Sequence, residues 1–595
     1  MNIRLERRRP AFAPELYARA ALAWTMICAL LLVTNMDAIA NLRFGHPDDI
    51  MRLQQVRDLL NGQNWFDLAQ HRVDAAAGGV NFGWSRLADL PLAATIGFLS
   101  IFMSSAAAEA ISVVVVPLLA LGLAVLLAGR IAWRLVGEEA AGLTCLAMAL
   151  SVPLISQMRP LSLGDYGWQV VLALAAMNGM MARNPKTGGW MTGIALALWL
   201  AISVEGLPVV LAICAIAVLR WLRDRRDHGW PVHVLASLAS TSAVLFAVLN
   251  GADFSMNDCS RIAPAHLAAF ALFAGCVWGL SRLEPLPRAA LVTALASTGA
   301  GCAALFYFAA PVCGVGGLSG GTTTAAPFPF SGIGASLPVW QQSPMLAVQI
   351  VVPPLIALLA TLQLAGKSAG WLRQWWQDYA LLLIAALAVS LWTARAGAVA
   401  GALAAIPLGW QISQWIRNAR NMRRPGKRVL ALAGAALALL PAMPLTLLAI
   451  AMPAQASLGQ MPKPAVSCDM KPLAAMLTGA QAGEILAPVD LGAHLLGYTA
   501  HSVIAAPQHQ SAAQMRQVQA IFTGDPSAAR EIVRARGTAY VALCPGHTEP
   551  ALYAAAAPHG LMAQLLNGNA PAWLKPISPA GTGGIQIWKI ALTPA

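Results

Sequence analysis

"GHPDDIMRLQQVRDLLNGQNWFD", residues 45–67, follows directly on the first strongly apolar run of the chain. Asp48 and Asp49 stand where a lipid-embedded helix should surface, and a water-loving segment rich in arginine and acid follows them. Behind the two acids, apolar residues recur at Ile50, Leu53, Val56 and Leu60, with Arg52, Gln54, Gln55, Arg57 and Asp58 between them. That spacing predicts an amphipathic helix suited to lying along a membrane surface. Aspartate is a favoured N-cap and is helped by the helix dipole, so capping is the simplest role for the doublet. One aspartate suffices for a cap, however. A pair at the lipid–water boundary also suits work on a lipid-linked phosphate, through a divalent cation or by activating an incoming hydroxyl.

The rest of the chain supplies the membrane. It has 595 residues, 58% hydrophobic and only 11% charged, where a soluble domain has about a quarter of its residues charged. This composition reads as an α-helical polytopic membrane protein. The net charge of +13 comes from arginines and lysines lying between apolar runs. They act as topology signals, so no nucleic-acid partner is expected. Runs long enough to cross occur at 20–42, 108–134, 138–157, 167–182, 188–204, 206–222, 231–250, 264–281, 288–311, 345–366, 378–394, 397–416 and 428–452, judged by the ~20-residue span requirement. The first is read as an anchor that stays, since no cleavage site follows it. Basic clusters mark alternate ends: Arg4 to Arg9, Arg130 and Arg134, Arg183 and Lys186, Arg220 to Arg226, Arg282 and Arg288, Lys367 and Arg373, and Arg417 to Arg428. By the positive-inside rule these ends are cytoplasmic, and thirteen crossings then leave the C-terminus outside.

The expected organisation is a cytoplasmic N-terminus (1–19), a transmembrane domain (20–452) with external loops at 43–107 and 311–344, and a periplasmic α/β domain (453–595). The tail earns that reading because short β-like runs ("GEILAPVDL", "HSVIAAP", "AYVALCP") alternate with helical ones ("SAAQMRQVQAIF", "PSAAREIVRAR"). Cys28, Cys145, Cys214, Cys276 and Cys302 fall inside membrane runs, where cysteine behaves as a small apolar residue. Cys259, Cys313, Cys468 and Cys544 fall on the oxidising side. The expected disulfides are Cys468 with Cys544 and Cys259 with Cys313.

This arrangement resembles the GT-C superfamily of integral-membrane glycosyltransferases, and in layout the catalytic subunit of oligosaccharyltransferase and its bacterial relatives. The resemblance is carried by residues 46–67, then "NFGWSRLADLPLA" (81–93), "LSLGDYGWQ" (161–169) and "SVEGLP" (203–208), in that order. It implies thirteen spans, an acidic motif after the first, a long external loop between the ninth and tenth, and an extracytoplasmic C-terminal domain. It also implies a reaction: transfer of a sugar or oligosaccharide from a polyprenyl-phosphate-linked donor to a glycan, lipid or protein acceptor at the periplasmic face of the bacterial inner membrane. Asp48 or Asp49 would be the base or first metal ligand, and Asp165 would correspond to the second acidic motif. Glu205, in a very short turn before Pro208, is the fourth candidate, because an acid at that depth is costly unless used or paired. Arg52, Arg57, Arg86 and Arg159 are the candidate phosphate-binding cations. A divalent cation, Mg or Mn, would be held by Asp49 and Asp165.

Three departures from the family pattern stand beside this. Residues 311–344 contain neither Asp nor Glu, where the family has a loop glutamate. Asp165-Tyr166-Gly167 stands where a histidine-rich "DHH" is expected. The run Trp375-Trp376-Gln377-Asp378 falls by charge in a cytoplasmic loop and reads as an interfacial aromatic belt. His501 and His509, near a strand end of the tail, read as surface histidines. The alternatives are a non-catalytic relative that binds lipid-linked glycan and a transporter of it. Against transport stand the absence of an inverted repeat and the large external tail.

Overall fold

The computed structural model describes residues 14–251, 261–309, 337–443, 470, 476–477, 479–577 and 584–591. Cys259, Cys313 and Cys468, and the loop residues 310–336, lie outside them. The chain divides into two compact units. One is built from 14–43, 84–309 and 337–443, and the other from 44–83 together with the described part of the tail.

The first unit is helical throughout. Each of the thirteen apolar runs contains a helix. Among the described residues nine of these helices are long and apolar enough to cross a membrane: Pro14–Thr34, Ser105–Leu135, Val204–Arg223, Arg225–Asn250, Pro264–Arg282, Arg288–Ala309, Pro344–Lys367, Gly370–Trp392 and Ala394–Arg420. The other four, Glu138–Leu150, Tyr166–Met180, Pro185–Ile202 and Pro425–Leu439, are shorter or more polar. The protein is thus a multi-pass membrane protein. The helices differ sharply in exposure. The apolar window of Ala394–Arg420 is 89% buried, while that of Arg288–Ala309 is 11% buried, so the former runs through the core and the latter offers an apolar face to lipid.

Small residues set how closely the helices approach. Helix Pro185–Ile202 lies along Gly229–Asn250, and a Cβ on Gly193 would stand 2.4 Å from the Val234 carbonyl and 2.8 Å from the Leu238 nitrogen. Helix Gly397–Arg420 meets Glu138–Leu150 in the same way at Gly409, where a Cβ would lie 2.7 Å from the Ala140 carbonyl. With little hydrophobic drive between helices in lipid, such close packing and interhelical hydrogen bonds hold the bundle. Tyr379 donates to the Leu403 carbonyl at 2.6 Å, and Asn178 donates to Leu127 across helices at 3.2 Å.

Trp375 and Trp376 do not form an interfacial belt. They lie inside helix Gly370–Trp392 and are 2% and 0% exposed. Two residues on, Asp378 accepts from Arg220 Nε at 2.9 Å and Arg223 Nη1 at 2.5 Å. Arg220 also lies over the rings of Trp230 and Trp375. A buried carboxylate and its arginines, wrapped in indoles, account for this run.

The second unit is a mixed five-stranded sheet with helices. Its strands are β3 (Glu484–Leu486), β4 (Ser502–Val503), β5 (Tyr540–Leu543), β6 (Leu574–Pro576) and β7 (Gln586–Ile590), in the order β4-β3-β5-β7-β6. β3 runs parallel to β4 and β5, while β7 is antiparallel to β5 and β6. β3, β4 and β5 are the three β-like runs legible in the sequence, and Ala512–Thr523 and Pro526–Arg536 are the two helical ones. Leu486, Val518, Phe522, Val541 and Trp588 share the core. Cys544, at the end of β5, is disulfide-bonded.

Residues 44–83 are built into this unit. They contain a small hairpin, β1 (Ala69–Gln70) with β2 (Val80–Asn81). Val73 forms a parallel bridge to Val503 and so covers the edge of β4. The helix Pro47–Leu60 forms as its periodicity requires, and its apolar side is buried against protein. It packs on helix Val489–Tyr498, close enough that a Cβ on Gly497 would fall 2.2 Å from Ile50 Cδ1. Arg52, Gln54 and Gln55 are buried along with Ile50, Leu53 and Val56.

Candidate active site

The named acids divide between the units. Asp48 and Asp49 belong to the second, Asp165 and Glu205 to the first.

In the second unit the N-cap of helix Pro47–Leu60 is His46, so Asp48 and Asp49 sit inside the first turn instead of capping it. Their charge still favours that end of the helix. Asp48 accepts a hydrogen bond from Gln508 Nε2 at 2.6 Å. Asp49 is 3% and Arg52 5% exposed. Arg57 donates to the Gly497 carbonyl at 2.6 Å, and Arg72 donates to Leu496 and Thr499 carbonyls at 2.9 and 2.7 Å. Two arginines of the inserted segment thereby cap the C-terminus of helix Val489–Tyr498, as the dipole favours.

In the membrane unit the acids converge. Asp165 holds the N-cap position of helix Tyr166–Met180, yet its side chain caps nothing. Its Oδ2 instead accepts from Gln169 Nε2 at 3.1 Å, one turn on. Gln169 in turn accepts at Oε1 from Trp199 Nε1 at 2.8 Å. Both are 1% exposed, so neither has water as an alternative partner. Tyr166 Oη donates to Glu205 Oε2. Asp165, Glu205 and Arg395 all lie within electrostatic reach of the phenol. A narrow, partly open crevice is lined by Tyr166, Gln169, Trp199, Glu205, Thr393 and Val399, among others. Gly206 is required beside it, since a Cβ there would fall 2.3 Å from Trp199 Nε1.

The named arginines of this unit take different places. Arg159, half-buried on the turn before Asp165, has no hydrogen bond or ion pair among the described residues. Arg86 is 1% exposed and lies 3.8 Å from Asp89, itself buried. Sequence reading missed Gln169, Trp199 and Arg395. The Asp165–Gln169 spacing, one helical turn, was a usable signal. So was Arg395, an isolated cation in the short turn between two apolar runs, at an end carrying no basic cluster.

The arrangement offers two carboxylates, a phenol bonded to one of them and the Arg395 guanidinium within electrostatic reach. That is a set able to accept a hydroxyl proton and to steady a phosphate. It does not fit a divalent cation unaided. Among the described residues no three His, Cys, Asp or Glu side chains converge to hold one, and the membrane unit's two acids already accept from Gln169 and Tyr166.

In the second unit His501 is not a surface residue. It is 2% exposed, and its Nδ1 accepts from the Gly483 amide at 3.2 Å. The side chain of His509 lies outside the described residues. Glu549 is buried with its carboxylate accepting from the Val489 and Asp490 amides at 2.8 and 3.0 Å and from Tyr553 Oη at 2.5 Å. Burial, with Asp490 adjacent, pushes its carboxyl up to about 7.

No family model matches the chain, and no curated protein does. Solved structures do. The archaeal oligosaccharyltransferase AglB from Archaeoglobus fulgidus, in complex with an inhibitory peptide and a dolichol-phosphate, matches with TM-score 0.60 and 14% identity, over 96% of this chain and 74% of that one. The apo form of the Archaeoglobus fulgidus oligosaccharyltransferase matches with TM-score 0.61 and 14% identity, over 89% and 69%. The same enzyme in complex with Zn and sulfate matches with TM-score 0.59 and 14% identity, over 95% and 72%. The chain therefore has the fold of a GT-C membrane glycosyltransferase, similar in layout to the oligosaccharyltransferase catalytic subunit.

Proposed function

We propose that the chain is a glycosyltransferase that moves a sugar or oligosaccharide from a polyprenyl-phosphate-linked donor to a glycan, lipid or protein acceptor, at the periplasmic face of the bacterial inner membrane. The observation that carries this is the fold likeness over 96% of the chain to an enzyme whose structure holds a dolichol-phosphate and a peptide. In this reading Asp48 or Asp49 is the candidate to take the acceptor's proton, and Asp165 and Glu205 are the candidate acids of the membrane unit. Of the phosphate-binding candidates Arg159 is the most available, since no protein group among the described residues engages it. Arg52 and Arg86 remain candidates. Arg57 is already committed to the Gly497 carbonyl.

The test uses purified protein in lipid with radiolabelled polyprenyl-linked sugars, comparing wild type with Asp48→Asn, Asp49→Asn and Asp165→Asn. Transfer of label out of the lipid fraction by wild type, reduced about 100-fold or more in at least one variant, is the expected result. Parallel samples with Mn²⁺ or EDTA measure whether a divalent cation contributes.

A second reading, a non-catalytic relative that binds lipid-linked glycan, is favoured by Tyr166. It stands where the resemblance expects histidine and commits its hydroxyl to Glu205. Label that stays on lipid in every sample, with the lipid still bound, would establish it. Sugar movement across proteoliposomes would establish a transporter.

A further inference from the structure

Several basic residues of the membrane unit are engaged by its acids. Arg220 and Arg223 share Asp378, Arg225 has Glu284, Arg19 has Glu138, and Arg417 lies 3.8 Å from Glu139. The cations that follow Arg417 differ. Arg420, Arg423, Arg424, Lys427 and Arg428 are all exposed, and none of their side chains has a hydrogen bond, ion pair or ring contact among the described residues. The sequence holds no Asp or Glu from 379 to 468, so no acid stands near them along the chain either.

Helix stability does not account for this run. Lys427 and Arg428 stand in the first turn of helix Pro425–Leu439, which has no acid there and no side-chain cap. The helix dipole disfavours cations at that end. Topological bias sets the side of the membrane on which they lie, but not what neutralises them there.

The flanking helices identify the neutralising group. Helix Ala394–Arg420 has 27 residues and so spans about 40 Å at 1.5 Å per residue, against a hydrocarbon core of about 30 Å. Its Arg420 end therefore reaches headgroup depth. On the other side, helix Pro425–Leu439 buries none of its residues, and Val429 and Leu430 are 67% and 74% exposed. Apolar side chains open to lipid thus begin directly after the last cation, which puts the cations beside lipid headgroups. A cluster of roughly four to eight Lys and Arg next to a membrane helix attracts anionic lipid, and the guanidinium fork suits phosphate in particular.

We propose that residues 420–428 form a docking surface for anionic phospholipid headgroups in the leaflet on that side. The surface does not depend on the glycosyltransferase reading. The full chain would be reconstituted in phosphatidylcholine nanodiscs containing increasing phosphatidylglycerol. Bound phosphatidylglycerol would be counted by native mass spectrometry, and the Tm would be followed in parallel.

Wild type should retain phosphatidylglycerol in preference to phosphatidylcholine, and 500 mM salt, a high ionic strength of roughly 3–5 Å screening length, should weaken that preference. Arg423→Gln with Arg424→Gln should weaken it about fivefold or more, as expected for cations at an anionic surface. Arg423→Lys with Arg424→Lys should keep most of it. The charge-matched control, Arg530→Gln with Arg534→Gln on helix Pro526–Arg536 of the second unit, should leave it unchanged. Tm in pure phosphatidylcholine checks folding, and Arg420→Gln with Arg428→Gln tests the same surface should the first pair lower it. No preference in wild type, or an equal loss in the site and control variants, overturns the proposal.

Discussion

Two acids show how differently a buried carboxylate can be held. Asp378, 2% exposed, is neutralised by two arginines. Removing it leaves two guanidiniums without the carboxylate they share. Asp378→Ala should therefore cost about 3–5 kcal/mol, visible as a lower Tm of the detergent-solubilised protein. Glu549 has hydrogen-bond donors but, among the described residues, no ion pair, and its carboxyl is raised to about 7. The sign follows from proton counting. Between its unfolded value of about 4.3 and 7 the folded chain keeps a proton that the unfolded chain has lost, so stability falls as pH rises, by at most about 1.4 kcal/mol per pH unit. His494 works in the opposite direction. Burial, with His547 nearby, holds it down to about 4, so its contribution is lost as pH falls below about 6.5. The two slopes offset each other across the shared window. Burial holds His547 down as well, so hydrogen exchange protection of helix Val489–Tyr498 should rise with pH between 5 and 6.5 in wild type, less steeply than in Glu549→Gln. In Glu549→Gln, protection should rise with pH over that range; an unchanged profile would refute the assignment.

At the scale of elements, the membrane helices differ in what they tolerate. Gly193 faces backbone of the neighbouring helix at distances no side chain can occupy, whereas a Cβ on Gly275 would meet nothing within 4 Å. Gly193→Ala should destabilise by about 1–3 kcal/mol. Gly275→Ala should be neutral or slightly stabilising, because alanine is the better helix former. Thermal denaturation of the two variants side by side tests this, and equal effects would contradict the packing described here. Both glycines look alike in the sequence, each within an apolar helix. Only the partner helix separates them.

At the scale of the molecule, the chain leaves the membrane unit at 44 and returns at 84. Residues 44–83 supply Ile50 to the packing of helix Val489–Tyr498, Arg57 and Arg72 to its C-terminal carbonyls, and Val73 to the edge of β4. Asp74 lies 2.6 Å from Arg536, which also pairs with Glu484 at 2.8 Å. A fragment of residues 454–595 alone would leave those carbonyls, that edge and Arg536 short of partners. It should fail to give a cooperative unfolding transition by circular dichroism. A fusion carrying 44–83 should restore one.

The apolar runs, their alternating basic ends and the β-like runs of the tail determined the fold class, because a bilayer demands long apolar helices and a water-exposed domain does not. The periodicity of residues 47–60 determined a helix. What that helix packs against was not legible, since an amphipathic stripe fits a lipid surface and a protein surface equally well. Only the tertiary structure decided that it joins the tail, that Trp375 and Trp376 are core, and that Glu205 meets Tyr166. β6 and β7 also needed it, since β7 pairs with β5 and β6 with β7, across long stretches of sequence. In the candidate site the acids were visible as costly residues at helix ends. Gln169 and Trp199, which orient Asp165, were not, because a hydrogen bond between residues 30 apart leaves no periodic trace.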